Sequence, residues 1–182
     1  GKVLATWTAA PSPTTQSLWS VWGSGPSNVF VVGTMGTVLH FDGNRSTALP
    51  WWQAQTSGTT QTLLAVWGNA PHDVTTVGVS GTVLQFDGLK WSAQTSGSTF
   101  PLYGVWGHGP DDVLLAGGGG LVLHNDRSLA PASWKVVTSG TTQVIREVWG
   151  ISPANVLAVG EQGTILRFDG SSWSHERKPS VF

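Results

Sequence analysis

The sequence predicts an all-β fold made of four copies of one four-stranded unit, and three observations predict it. A Val-Trp-Gly triplet recurs with its Trp at 22, 67, 106 and 149, spacings of 45, 39 and 43 residues. Each copy holds four short apolar runs parted by turn residues, the mark of strands rather than helices. Nowhere does an apolar i, i+3, i+4 pattern persist for a helix's length. Four strands in roughly 40–45 residues, repeated, is the spacing of a β-propeller blade. Such a unit is too thin to bury both its faces alone, so neighbours must stack around an axis.

Each element of the unit has its own chemical reason. In the first copy the apolar runs are 18–22, 29–32 and 37–41, with a fourth opening at Trp51 or Trp52. Between the first two runs comes a Pro three residues after the Gly (Pro26, Pro71, Pro110, Pro153), then Asn28, Asp73, Asp112 or Asn155. Pro presets φ and Asn or Asp bonds the local backbone, so this is a turn. A Gly-x-x-Gly joins runs two and three at Gly33/Gly36, Gly78/Gly81, Gly117/Gly120 and Gly160/Gly163, where a tight hairpin needs positive φ. Three copies then read Gly-Thr-[Val/Ile]-Leu-x-Phe-Asp-Gly, while the third departs from it as Gly120-Leu121-Val122-Leu123-His124-Asn125-Asp126. The later copies close on Trp91, Trp134 and Trp173. The repeats run approximately 17–60, 61–99, 100–142 and 143–178, within one domain of residues 1–182.

Trp7 to Gln16 spans the same nine positions as Trp52 to Gln61 and Trp134 to Gln143, so residues 1–16 read as the fourth strand and linker of a preceding blade. The expectation is a closed four-bladed ring in which this segment pairs with the last copy, since closure removes exposed strand edges. A monomer is favoured on that reading. The alternative is an excerpt of a longer array whose ring closes between chains. The loops before the fourth run alternate long and short, which predicts opposed rims at 44–50 and 127–132.

Residues 16–173 resemble the bacterial propeller repeats of the photosystem II assembly factor-like and BNR-like group. Asp87-Gly88-Leu89-Lys90-Trp91 and Asp169-Gly170-Ser171-Ser172-Trp173 are similar to the Asp box of sialidase-type propellers, a turn between the third and fourth strands. The upstream Ser/Thr of a full Asp box and the residue between its Asp and Gly are missing. Val-Trp-Gly is more weakly similar to tectonin-type lectin repeats. The assembly-factor resemblance implies a protein-interaction scaffold. Sialidase activity is not expected, because that family relies on an Arg cluster with a Tyr nucleophile and the five arginines here fall at unrelated repeat positions.

The chain is 40% hydrophobic and only 10% charged, with a net charge of −1. That balance argues against nucleic acid, whose affinity rests on clustered Lys and Arg. No cysteine is present, which leaves no disulfide or thiolate zinc site. The sequence shows neither a signal peptide nor an apolar run long enough to span a membrane, so no membrane insertion is expected. Low charge with eleven Trp is associated with secreted propellers and lectins, giving the expectation of an extracellular or cell-surface protein.

The function expected is a non-catalytic binding module without a cofactor or metal. Its ligand is a glycan held at repeated lectin-like sites or, alternatively, a protein held by a scaffold; an enzyme of unknown type is the distant third. Strand alternation puts each Val-Trp-Gly Trp on the same face as Leu18, Leu63, Leu102 or Ile145, four residues earlier, and packing between blades is the favoured role. Three residues before each Trp the side chain varies (Trp19, Leu64, Tyr103, Arg146), and variation inside a regular repeat is where specificity is written. Trp19, Tyr103 and Arg146 are therefore candidate ligand contacts. Before each Phe-Asp-Gly position stands a polar residue, His40, Gln85, His124 or Arg167, a second candidate set that also suits a solvated strand face. Asp111-Asp112 near His108 suggests acid–base chemistry, but adjacent carboxylates point apart and Asp112 holds an ordinary turn position.

Overall fold

The computed structural model describes residues 9–44, 51–126 and 133–176. The described residues form four antiparallel four-stranded sheets, each a meander of strands consecutive in sequence. Blade one is β1 (Leu18–Gly25), β2 (Asn28–Gly33), β3 (Val38–Phe41) and β4 (Trp52–Gln55). Blade two is β5 (Leu63–Ala70), β6 (Asp73–Gly78), β7 (Val83–Phe86) and β8 (Trp91–Gln94). Blade three is β9 (Leu102–Gly109), β10 (Asp112–Gly117), β11 (Val122–Asp126) and β12 (Lys135–Val137). Blade four is β13 (Ile145–Ser152), β14 (Asn155–Gly160), β15 (Ile165–Phe168) and β16 (Trp173–His175). This is the four-bladed, all-β propeller architecture that the repeat predicts. The expected rims at 44–50 and 127–132 fall, apart from Asn44, outside the described residues.

The turns follow from their residues. Pro26-Ser27 and its three counterparts make two-residue links between the first and second strands. The Gly-x-x-Gly closes as one tight turn whose two central residues, Met35 and Gly36 in blade one, are both left-handed, and its two glycines serve different needs. Gly33 is extended, and a Cβ there would lie 2.2 Å from the Ser17 carbonyl oxygen, so only Gly lets the chains approach. Gly36 has φ +66 and lies in the left-handed region that favours Gly. Between the third and fourth strands, Asp87 accepts backbone N–H bonds from Leu89 and Lys90, and Asp169 accepts them from Ser171 and Ser172. These amides stabilise the carboxylate and hold Asp169 down at about 2.

The core lies between blades rather than within them. The first strands pack successively, β1 on β5, β5 on β9 and β9 on β13, so they line the inside of the arc. Phe30, Val32 and Val38 of blade one meet Leu63, Val66, Val74, Leu84, Phe86 and Trp91 of blade two. Ala65, Val77 and Val83 then meet Leu102, Val105, Val113, Leu115 and Leu123. Trp106, Leu114, Ala116 and Val122 meet Ile145, Val148, Val156, Ala158, Leu166 and Trp173. Each blade thus has a receiving face and a donating face, and the pairing is the same at all three junctions.

One expectation needs correction. Leu63 belongs to the junction with blade one, whereas Trp67 packs into the junction with blade three, so the two do not share a face. The reason is a bulge, since the register passes from Leu63↔Gly78 directly to Ala65↔Val77 and skips Leu64. The same step occurs in every first strand and inverts the alternation beyond it. The interblade role of Trp22, Trp67 and Trp106 stands. A Cβ built on Gly68, Gly107 or Gly150 would lie 2.5, 2.5 or 2.9 Å from the indole of the preceding blade. The Val-Trp-Gly motif therefore operates between blades, with Trp of one lying over Gly of the next.

The closing strand expected within residues 1–16 falls, for residues 1–8, outside the described residues. Beyond Thr8 the segment is irregular, and Gln16 accepts a hydrogen bond from Thr34 of blade one at 2.9 Å. The fourth-strand place in the last sheet is held by β16. Blade four turns Trp149, Leu157, Val159 and Ile165 outward, and blade one turns Leu18 and Val21 outward.

Candidate functional site

The bulge that inverts the first strands also builds the most distinctive surface. In each copy the residue skipped by the ladder is the variable one: Trp19, Leu64, Tyr103 and Arg146. A bulged residue has no cross-strand partner and is re-aimed out of the sheet. Because the four bulges hold equivalent places on adjacent inner strands, the variable positions form one row along the inside of the arc. They stand at the end of the blades where the Gly-x-x-Gly turns lie, as the pairing of Leu18 with Gly33 shows.

Two members of the row touch. The Arg146 guanidinium lies over the Tyr103 ring, 4.3 Å from its centroid, in a cation–π arrangement across the blade junction. Arg146 also donates to Glu161, which opens the tight turn after β14, and this bond raises the guanidinium pKa further. At the other end of the row Trp19 is 59% exposed and borders a hollow formed with Leu18, Ser20, Val21 and Val31. The row thus runs from an open indole through an aliphatic and an aromatic side chain to a fixed cation.

The second candidate set occupies a different place. His40, Gln85, His124 and Arg167 lie on the third strands, towards the Pro turns at the opposite end of the blades. Three of them bond within their own blade. His40 Nε2 lies 2.7 Å from Asn28 Oδ1, Gln85 donates to Asp73 Oδ1 at 2.6 Å, and His124 Nε2 lies 2.7 Å from Asp112 Oδ1. Arg167 faces Glu176 at 3.8 Å. The His40 ring also stacks on Phe30, with centroids 4.3 Å apart, and burial lowers its pKa against the opposing pull of Asp42. The structure brings Trp19, Tyr103 and Arg146 into one row and does not bring the third-strand set to it.

The Asp111-Asp112 pair resolves in the same way. Asp112 holds His124 just as Asn28 holds His40, so it repeats a cross-strand pair found in blades one and two. Among the described residues no group of three His, Cys, Asp or Glu side chains is placed to hold a metal ion. None of their helices is long and apolar enough to cross a membrane. Sequence reading missed Glu161 as the partner of Arg146, and it missed the bulge. The bulge left no clear signal, since a strand packed between two blades is apolar on both faces and need not alternate.

No protein-family model and no curated protein matches the sequence. Among solved structures the chain is similar to YCF48 from Cyanidioschyzon merolae, with TM-score 0.71 and 20% identity over 97% of this chain and 61% of that one. A structure of YCF48 bound to D1 peptide aligns at TM-score 0.34 and 11% identity, over 90% of this chain and 81% of that one. The first likeness shows the propeller fold expected from the photosystem II assembly factor-like repeats. The chain spans 61% of the length of that YCF48.

Proposed function

We propose that this chain is a non-catalytic propeller module that binds an extended protein segment along the row Trp19, Leu64, Tyr103 and Arg146. One observation carries the reading: side chains that vary from blade to blade are collected by four equivalent bulges on the inside of the arc. Aromatic and Arg side chains on a rigid sheet are the groups that dominate protein interfaces. Their successive spacing suits a chain laid across the blades, engaging one side chain per blade. Arg146 is already held by Tyr103 and Glu161, so it presents a fixed charge at no further ordering cost. The glycan reading has less behind it, because His40, Gln85 and His124 direct polar atoms to Asn28, Asp73 and Asp112.

The test is a displayed peptide library panned on the 182-residue chain, with a glycan array run in parallel. The expected result is enrichment of peptides with apolar or aromatic residues whose affinity falls at least about tenfold in Trp19→Ala and Tyr103→Ala. His40→Gln serves as the control and leaves binding unchanged. Glycan binding that survives both row variants overturns the reading.

A further inference from the structure

We infer that the outer side of blade three is a docking groove for an extended, uncharged segment of another protein, which pairs along β12 and seats an apolar side chain beside Phe100. The inference does not rest on the inner row. Nor does it use an end blade, since blade three is packed between blades two and four.

Four positions of the repeat change together in this blade. The residue before the first strand's opening dipeptide is Gln16, Gln61 or Gln143 elsewhere and Phe100 here. After the second Gly of the turn stands Thr37, Thr82 or Thr164 elsewhere and Leu121 here. Two residues beyond the fourth-strand Trp stands Ala54, Ala93 or His175 elsewhere and Val136 here. The next residue is Gln55, Gln94 or Glu176 elsewhere and Val137 here. Each exchange puts a more apolar residue where the repeat has a polar or small one. All four side chains line a single hollow of about 600 Å³.

The turn beneath is altered to match. Its residues between the two glycines are Thr34-Met35, Val79-Ser80 and Glu161-Gln162 in the other blades but Gly118-Gly119 in blade three. A Cβ on either of these would lie 3.3 Å from the Phe100 ring, so one face of the ring rests on bare backbone. Fastening the linker to the turn does not require a ring. Blade one does it with a 2.9 Å hydrogen bond from Thr34 to Gln16. The ring instead keeps 54% of its surface open, and Val136 keeps 74%. The seat is firm, because Leu121 and Val137 pack against the cores of the two junctions that flank the blade.

The lining states what fits. Among the described residues, none that lines the hollow is charged. A charged side chain would shed water there without gaining a partner, whereas an apolar or aromatic one covers Phe100 and Val136. The backbone identifies the partner as a polypeptide. β12 is the outer edge of its sheet, and Val136 lies opposite Leu123 in the ladder. In blade four Glu176, the counterpart of Val137, donates its N–H to Ile165 at 2.9 Å. Inward bonds alternate along an antiparallel strand, so the Val136 N–H and C=O point away from the sheet. An extended chain meets both groups and turns alternate side chains towards the hollow. The other fourth strands have an open edge without the apolar seat.

Panning a displayed library of short peptides on the 182-residue chain, with counter-selection against Phe100→Gln, tests this. Phe100→Gln and Val136→Ala install residues that other blades carry at the same places, so both stay folded by circular dichroism. The expected result is clones with an apolar side chain whose affinity falls at least about tenfold in Phe100→Gln and falls also in Val136→Ala. Leu89→Ala, which removes a still more open aliphatic side chain from blade two, leaves their affinity unchanged. N-methylating the peptide backbone one residue at a time weakens binding at alternate positions, as strand pairing requires. An absence of discriminating clones, affinity that survives both variants, or methylation losses without that alternation overturns the proposal. So does light scattering in which the wild type self-associates and Phe100→Gln does not, because the occupant is then a second copy. If Phe100→Gln fails to fold, Val136→Ala takes its place in the counter-selection.

Discussion

The indole of Trp22 occupies the space in which a Cβ on Gly68 would stand, with its Cη2 atom 2.5 Å from that point. One residue pair therefore explains why the Gly of Val-Trp-Gly recurs with the Trp: each motif carries the knob for the next blade and the hole for the previous one. Gly68→Ala is expected to destabilise the chain by about 1–3 kcal/mol, the usual range for overpacking. Gly23→Ala, with no indole among the atoms nearest its Cβ, is expected to cost less. Thermal melts of the two variants check the difference, and equal losses would show that the indole is not the cause.

The tryptophans of the same motif are expected to differ sharply in weight. Trp106 is 7% exposed and Trp149 is 59% exposed. Trp106→Ala leaves a cavity between blades three and four and is expected to cost about 3–5 kcal/mol. Trp149→Ala, measured by denaturant unfolding, is expected to cost less than about 1 kcal/mol.

A buried indole N–H offers a stabilising change. Trp91 donates to Gln55 of the preceding blade at 2.7 Å, whereas the Trp173 Nε1 is buried without a partner among the described residues. At the position corresponding to Gln55, blade three carries Val137, which packs at the edge of that same cluster. Val137→Gln is expected to supply the missing acceptor and stabilise the chain by about 1 kcal/mol. Unfolding in urea reads the sign; a loss of stability would mean that the Val137 packing outweighs the new bond.

The pH dependence of stability should carry a contribution from His40. Burial against Phe30 lowers its pKa below the ordinary 6.5, so the folded state disfavours the imidazolium. As pH falls, the unfolded chain takes up the proton first. The contribution is therefore full above about 6.5 and is lost progressively as the pH drops from there towards the folded pKa. His40→Gln, which installs the residue found at the same place in blade two, is expected to flatten melting temperature against pH in that window. An NMR titration of His40 giving a pKa at or above 6.5 would refute the assignment.

Much of the blade was legible because its signals are local. Pro26, Asn28 and Gly36 each act within a few residues, through preset φ, a side-chain bond to Ser24 or positive φ. Their positions fixed where strands stop, and the apolar runs between them fixed where strands lie. The candidate row was half legible. Variation at Trp19, Leu64, Tyr103 and Arg146 falls on the four residues that the ladder skips, but the claim that face alternation runs unbroken from Leu18 to Trp22 failed at the bulge. A bulge removes one residue from the count, and the face of every later residue inverts with it.

The sequence by itself determined the repeat and the four-stranded unit, because those follow from periodicity and turn chemistry. Only the tertiary structure decided which face each first-strand residue takes, that His40, Gln85 and His124 bond to their own blades, and that Arg146 stacks on Tyr103. Closure depends on the rotation that accumulates from blade to blade, and no local pattern encodes an angle summed over four units. Trp149 and Val21 are apolar in the sequence for the same reason as Trp106 and Val66, yet only the fold shows that nothing in the described residues covers them.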